Sequence, residues 1–112
     1  MVSSSWKFSG LNKLQINFIE KTILKPLSSL ESDVFIFGSR SLGTYKKFSD
    51  LDLLICPKNE FHLSQVKLLL SEINEKLEES SFPYKVDLIL QNTLSDDFKF
   101  SIKNTLKKLS SF

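Results

Sequence analysis

The chain has 112 residues, 41% of them hydrophobic, 12% aromatic and 25% charged, which is the composition of one soluble globular domain with a modest core. Fifteen Lys and Arg against 13 Asp and Glu leave a net charge of +2, which gives no strong field for an anionic membrane and no support for a nucleic-acid partner. The single cysteine, Cys56, excludes an internal disulfide, no run is long enough to span a bilayer, and the first residues lack a basic and apolar leader, so one domain over residues 1–112 in the cytoplasm is expected.

Residues 11–24 place Leu11, Leu14, Phe18, Ile19, Thr22 and Ile23 on one side at helical spacing, with Ser9 as cap and Pro26 as stop. Residues 33–37, Asp-Val-Phe-Ile-Phe, read as a short buried strand that stops at Gly38, and residues 43–49 as a polar loop. A second strand over residues 50–55, closed by Pro57, alternates Leu51, Leu53 and Ile55 with Asp50, Asp52 and Leu54.

Residues 61–79 carry Leu63, Val66, Leu69, Leu70, Ile73 and Leu77 with a 3.6-residue period, a helix ended by Ser80-Ser81-Phe82-Pro83. Residues 84–90 read as a third strand, with Val86, Leu88 and Leu90 on one face and Lys85, Asp87 and Ile89 on the other. A last helix starts at Ser95-Asp96-Asp97 and runs with Phe98, Ile102, Leu106 and Leu109 in a stripe, finishing on Lys107 and Lys108 as the macrodipole prefers. The expectation is an α+β (mixed α/β) domain, order α-β-β-α-β-α, with a small mixed three-stranded sheet packed with helices.

Two of the three glycines and the only arginine fall in Gly38-Ser39-Arg40-Ser41-Leu42-Gly43. Gly38 at a strand end permits a sharp turn and close approach of backbone to a phosphate, and residues 39–42 can form a helical turn whose amides attract anions. Asp50 and Asp52 leave one face of a strand, roughly 6.5–7 Å apart at Cα, and Asp87 lies in a similar frame on the next strand, where a lone acid among apolar residues is costly. If those strands are neighbours, three carboxylates share one patch. Oxygen donors without His or Cys favour Mg²⁺ or Mn²⁺, and a pair of such ions about 3.5–4 Å apart is the usual arrangement for nucleotidyl transfer.

Gly38-Ser39, ten residues, Asp50-Leu51-Asp52 and a later Asp87 together resemble the signature of the DNA polymerase beta-like nucleotidyltransferase superfamily. The strings GSRSLGTYKKFSDLDLLI and FPYKVDLIL are similar to the minimal nucleotidyltransferases, small proteins often paired with a HEPN-domain partner. The resemblance implies the polymerase beta palm-like fold, Gly38, Ser39 and Arg40 as the phosphate-binding segment, and Asp50, Asp52 and Asp87 as the catalytic, metal-binding acids. It also implies two Mg²⁺ ions as cofactor, ATP as the favoured substrate, and AMP transfer to a hydroxyl, a tyrosine of a HEPN-domain protein being a concrete acceptor. A second chain, that partner or another copy, is expected to complete the site, and the competing reading is a non-catalytic antitoxin that neutralises its partner by binding alone.

Other polar residues have plainer readings. A bare Asp-x-Asp is a solvated strand face, and Asp87 has Lys85 or Arg40 as possible ion-pair partners. Asp33 reads as a turn or cap residue, His62 as a surface residue and Cys56 as inert core. Lys99, Lys103, Lys107 and Lys108 read as the wet face of the last helix, and Tyr45, Lys46 and Lys47 as a solvated loop.

Overall fold

The computed structural model describes residues 4–109. Four strands, β1 (Ser32–Phe37), β2 (Leu51–Pro57), β3 (Val86–Leu90) and β4 (Lys107–Lys108), form one mixed sheet in the order β3-β2-β1-β4. β1 lies antiparallel to β2 and to β4, while β2 and β3 are parallel. A parallel pair needs a crossover, and α4 (Leu63–Glu79) supplies it.

The alternation along the strands sorts the sheet into two unlike faces. Val34, Ile36, Leu51, Leu53, Ile55 and Leu90 point to the main core, where Ile16, Ile19, Ile23 and Leu27 of the first helical stretch meet Val66, Leu70 and Ile73 of α4. Phe37, Leu54 and Ile102 form a second, smaller cluster on the opposite face, covered by α5 (Asp96–Ile102). That helix is seven residues long, so the face it covers is left partly open, and the acids of β2 and β3 lie there.

The first helical stretch runs further than its proline suggests. α1 (Lys13–Ile19) starts at Asn12, not Ser9: Asn12 and Gln15 form a reciprocal capping box, while the Ser9 hydroxyl instead donates to the Trp6 carbonyl. A π-helical turn, Glu20–Leu24, then leads into α2 (Lys25–Ser29), with Pro26 inside it. The wider turn, in which the Lys25 amide reaches the Glu20 carbonyl, takes the chain past the point where a proline ring would strike an α-helical carbonyl.

Two further expectations are corrected. The third strand begins at Val86, Tyr84 and Lys85 lying before it. The last helix ends at Ile102, and Lys107-Lys108 form β4 against Phe35 and Ile36 of β1, so the sheet has four strands and not three. The spacing of Leu106 and Leu109 is the reason: three residues apart they share a side of a helix but fall on opposite faces of a strand. Leu106 packs in the smaller cluster and Leu109 in the main core.

Candidate active site

β1 delivers the chain to Gly38, which adopts φ +75° and ψ −156°, a conformation essentially confined to glycine. Phe37 pairs with Asp52 across β1 and β2, so the turn passes directly over that carboxylate. A β-carbon on Gly38 would stand 2.8 Å from Asp52 Oδ2. The short helix α3 (Ser39–Leu42) follows, as residues 39–42 predict. Its first amides lack partners within the turn and sit beside the acids.

The turn is held from the far end of the sequence. The Gly38 amide donates to the Thr105 hydroxyl (3.2 Å), the Ser41 hydroxyl donates to the Thr105 carbonyl, and Lys107 Nζ donates to the Ser41 carbonyl (2.6 Å). No pattern in the sequence announces Thr105 as part of this region, because its role depends on the chain leaving the last helix at Ile102.

Asp52 stands opposite Asp87 in the parallel register of β2 and β3, and Asp50 precedes β2. One oxygen from each of the three half-buried acids lies within 4.8 Å of the others. Burial first, then the charges of Asp87 and Asp50 and a hydrogen bond with Asp87, push the Asp52 carboxyl up to about 6, against a smaller opposing pull from Lys85. Lys85, largely exposed, reaches Asp87 at 3.5 Å. The donor set is all hard oxygen, with no His or Cys among the three, which suits Mg²⁺ or Mn²⁺ and not zinc.

Arg40 is turned inward, away from solvent. It is 1% exposed, and its Nε and Nη1 donate to the carbonyls of Ser49 (2.9 Å) and Ser9 (2.7 Å). It pairs with no carboxylate among the described residues, neither Asp50 nor Asp87. Gly38 and the three acids are thus brought together, with Ser39 next in the turn, while Arg40 binds the Ser49 and Ser9 carbonyls instead.

The sequence matches the nucleotidyltransferase domain family model over residues 19–109, which includes the glycine turn and all three acids. The chain belongs to the nucleotidyltransferase domain family. Over 85 residues it is 39% identical to the probable protein adenylyltransferase MntA of Haemophilus influenzae (strain ATCC 51907 / DSM 11121 / KW20 / Rd), covering 76% of this chain and 70% of that protein. A crystal structure of a toxin-antitoxin with AMP-PNP superposes with a TM-score of 0.56 at 22% identity, covering 83% of this chain and 73% of that one, and so shares the fold of this nucleotidyltransferase domain.

The remaining polar residues of the nucleotidyltransferase domain take structural places. Asp33 lies within β1, bridged by Lys58 (3.6 Å) and Lys108 (3.4 Å), and His62 Nδ1 faces the Leu30 carbonyl at 3.3 Å. Burial and the nearby Asp33 push the Cys56 thiol up to about 11, so it stays protonated and unreactive. Among the described residues no helix is long and apolar enough to cross a membrane.

Proposed function

We propose that this nucleotidyltransferase domain transfers AMP from ATP to a hydroxyl on a partner protein, as the antitoxin-like partner of a HEPN-domain protein, with Mg²⁺ held by Asp50, Asp52 and Asp87. The observation that carries the reading is the gathering of three carboxylates beside a glycine turn, on the sheet face that α5 leaves open. The name of the Haemophilus relative supports protein adenylylation, and the toxin-antitoxin neighbour with AMP-PNP supports an adenine nucleotide and a protein partner. The HEPN identity of that partner rests on the resemblance of GSRSLGTYKKFSDLDLLI to minimal nucleotidyltransferases.

In the reaction the acceptor oxygen forms a bond to the α-phosphorus, the bond from that phosphorus to the bridging oxygen breaks, and pyrophosphate leaves. In this reading Gly38 lets the backbone come close to the triphosphate, and the Ser39 amide and hydroxyl bind its oxygens, which the glycine-only φ of Gly38 supports. Asp52, raised to about 6 chiefly by burial, is ionised at pH 7.5 and can then bind a cation. Bound Mg²⁺ would supply neutralisation of phosphate charge and a lowered pKa for the attacking hydroxyl. Asp87, which meets Asp52 and the exposed Lys85, takes the hydroxyl proton in this reading.

The test is incubation of the chain with α-³²P-labelled ATP and Mg²⁺, with and without the protein encoded beside it. Label on that protein, lost with Asp50→Asn, is the expected result. A tight complex that never becomes labelled would overturn transfer in favour of neutralisation by binding alone.

A further inference from the structure

Arg40 is the one charged side chain among the described residues that is fully buried. Burying a guanidinium is expensive, and an apolar side chain of similar size is often no less stabilising, so its contacts need an account beyond stability. Its guanidinium lies over two rings, with Cζ 4.0 Å from the centre of Tyr84 and 4.7 Å from that of Tyr45. Both rings are themselves fixed. Tyr84 packs edge-on against Phe82 (5.9 Å), which stacks on Phe18 (5.6 Å), and Tyr45 lies so close over Gly10 that a β-carbon there has no room.

The carbonyls that Arg40 binds are chosen by position. Ser49 contributes the carbonyl of the very peptide that carries the Asp50 amide, so the bond from Nε fixes where Asp50 starts. Tyr84 immediately precedes Lys85, whose carbonyl accepts from the Leu51 amide (2.8 Å) and opens the pairing that sets Asp52 against Asp87. Arg40 itself follows Ser39 in the turn. One planar side chain therefore joins the glycine turn, the peptide of Asp50 and the lead-in to the strand of Asp87, three segments distant in sequence. Lysine keeps the charge but loses the fork and the flat stacking surface.

The geometry points to Arg40 as a positioning residue: held against Tyr45 and Tyr84, it sets the spacing of Asp50 from Asp52 and Asp87 and so the site's grip on a divalent cation, without touching nucleotide. This rests on the metal-binding reading of the three acids. Two donors bound to carbonyls, two rings against it and Nη2 left without a partner among the described residues describe a group held for its shape, since a cation retained for charge alone would have a carboxylate.

The test measures Mn²⁺ binding to the whole chain by electron paramagnetic resonance, with folding followed by circular dichroism. Arg40→Lys is expected to bind Mn²⁺ about tenfold more weakly, a difference of about 1.4 kcal/mol. Ile73→Val, in the core under α4, lowers stability without touching the two rings and is expected to bind Mn²⁺ as the parent does. If Arg40→Lys does not fold, Tyr84→Leu, which removes one of those rings, is read in its place with the same expected direction. A folded variant that binds Mn²⁺ within twofold of the parent overturns the inference, and doing so with a tenfold higher KM for ATP would make Arg40 a phosphate ligand instead. A parent chain that binds no Mn²⁺ would sink the metal reading itself, a result distinct from either.

Discussion

Asp52 and Asp87 stand directly opposite each other on adjacent parallel strands, where two like charges weaken a sheet. Burial first, and that like charge second, raise the Asp52 carboxyl from 3.8 to about 6 in the folded chain. Between those values the folded state holds a proton that the unfolded state has released, so stability falls as pH rises from about 4 through 6 and the loss is complete above 6. Asp52→Asn should remove that penalty. In EDTA at pH 7.5 it should be more stable than the parent by about 1 kcal/mol, a figure reduced for screening at a half-exposed site, and the gain should vanish below pH 4 in urea titrations.

The same cluster should respond to cations. Mg²⁺ with a non-hydrolysable ATP analogue should raise the melting temperature by mass action. The rise should be lost in Asp87→Asn, and in the parent it should shrink as pH drops from 7.5 to 5.5, because protons compete for Asp52. A rise of full size in Asp87→Asn, read by differential scanning fluorimetry, would remove that residue from the site.

Gly38→Ala should cost about 1–3 kcal/mol from backbone strain alone, since its φ of +75° with ψ −156° is denied to side chains. The new methyl group would also press on Asp52 Oδ2. Loss of Mn²⁺ binding that exceeds the loss of stability is the expected signature, checked by paramagnetic resonance beside thermal melts.

Thr105→Val keeps the shape of the side chain and removes the acceptor of the Gly38 amide. An amide left without its partner costs about 1–3 kcal/mol, visible as a lower midpoint in urea. Transfer activity should fall as well, because the turn over Asp52 is held by this bond.

The sequence shows the half of the site built from local pattern. Alternation in β2 puts Asp50 and Asp52 opposite Leu51 and Leu53, and Gly38 at a strand end marks the turn, since each is decided by neighbours in the chain. Arg40 is different: whether it faces phosphate or carbonyl depends on Ser9 and Tyr84, which only the folded chain brings to it. Lys107-Lys108 suits a helix end as well as a strand, and what decides is the open edge of β1 waiting beside it. Pro26 misled for a third reason, that a π turn just before it absorbs the clash a proline causes in an α-helix.

Among the described residues the sheet ends on β3, which has a neighbour on one side only. An edge of this kind is a template on which another copy can pair and aggregate, and inward-pointing charge is one of the devices that prevents it. Asp87 is the second residue of that edge strand, with Lys85 just before the strand, so a second chain pairing there would bring another charged row against them. The carboxylate proposed to take part in transfer thus also guards an open sheet edge, and neutralising it removes that guard.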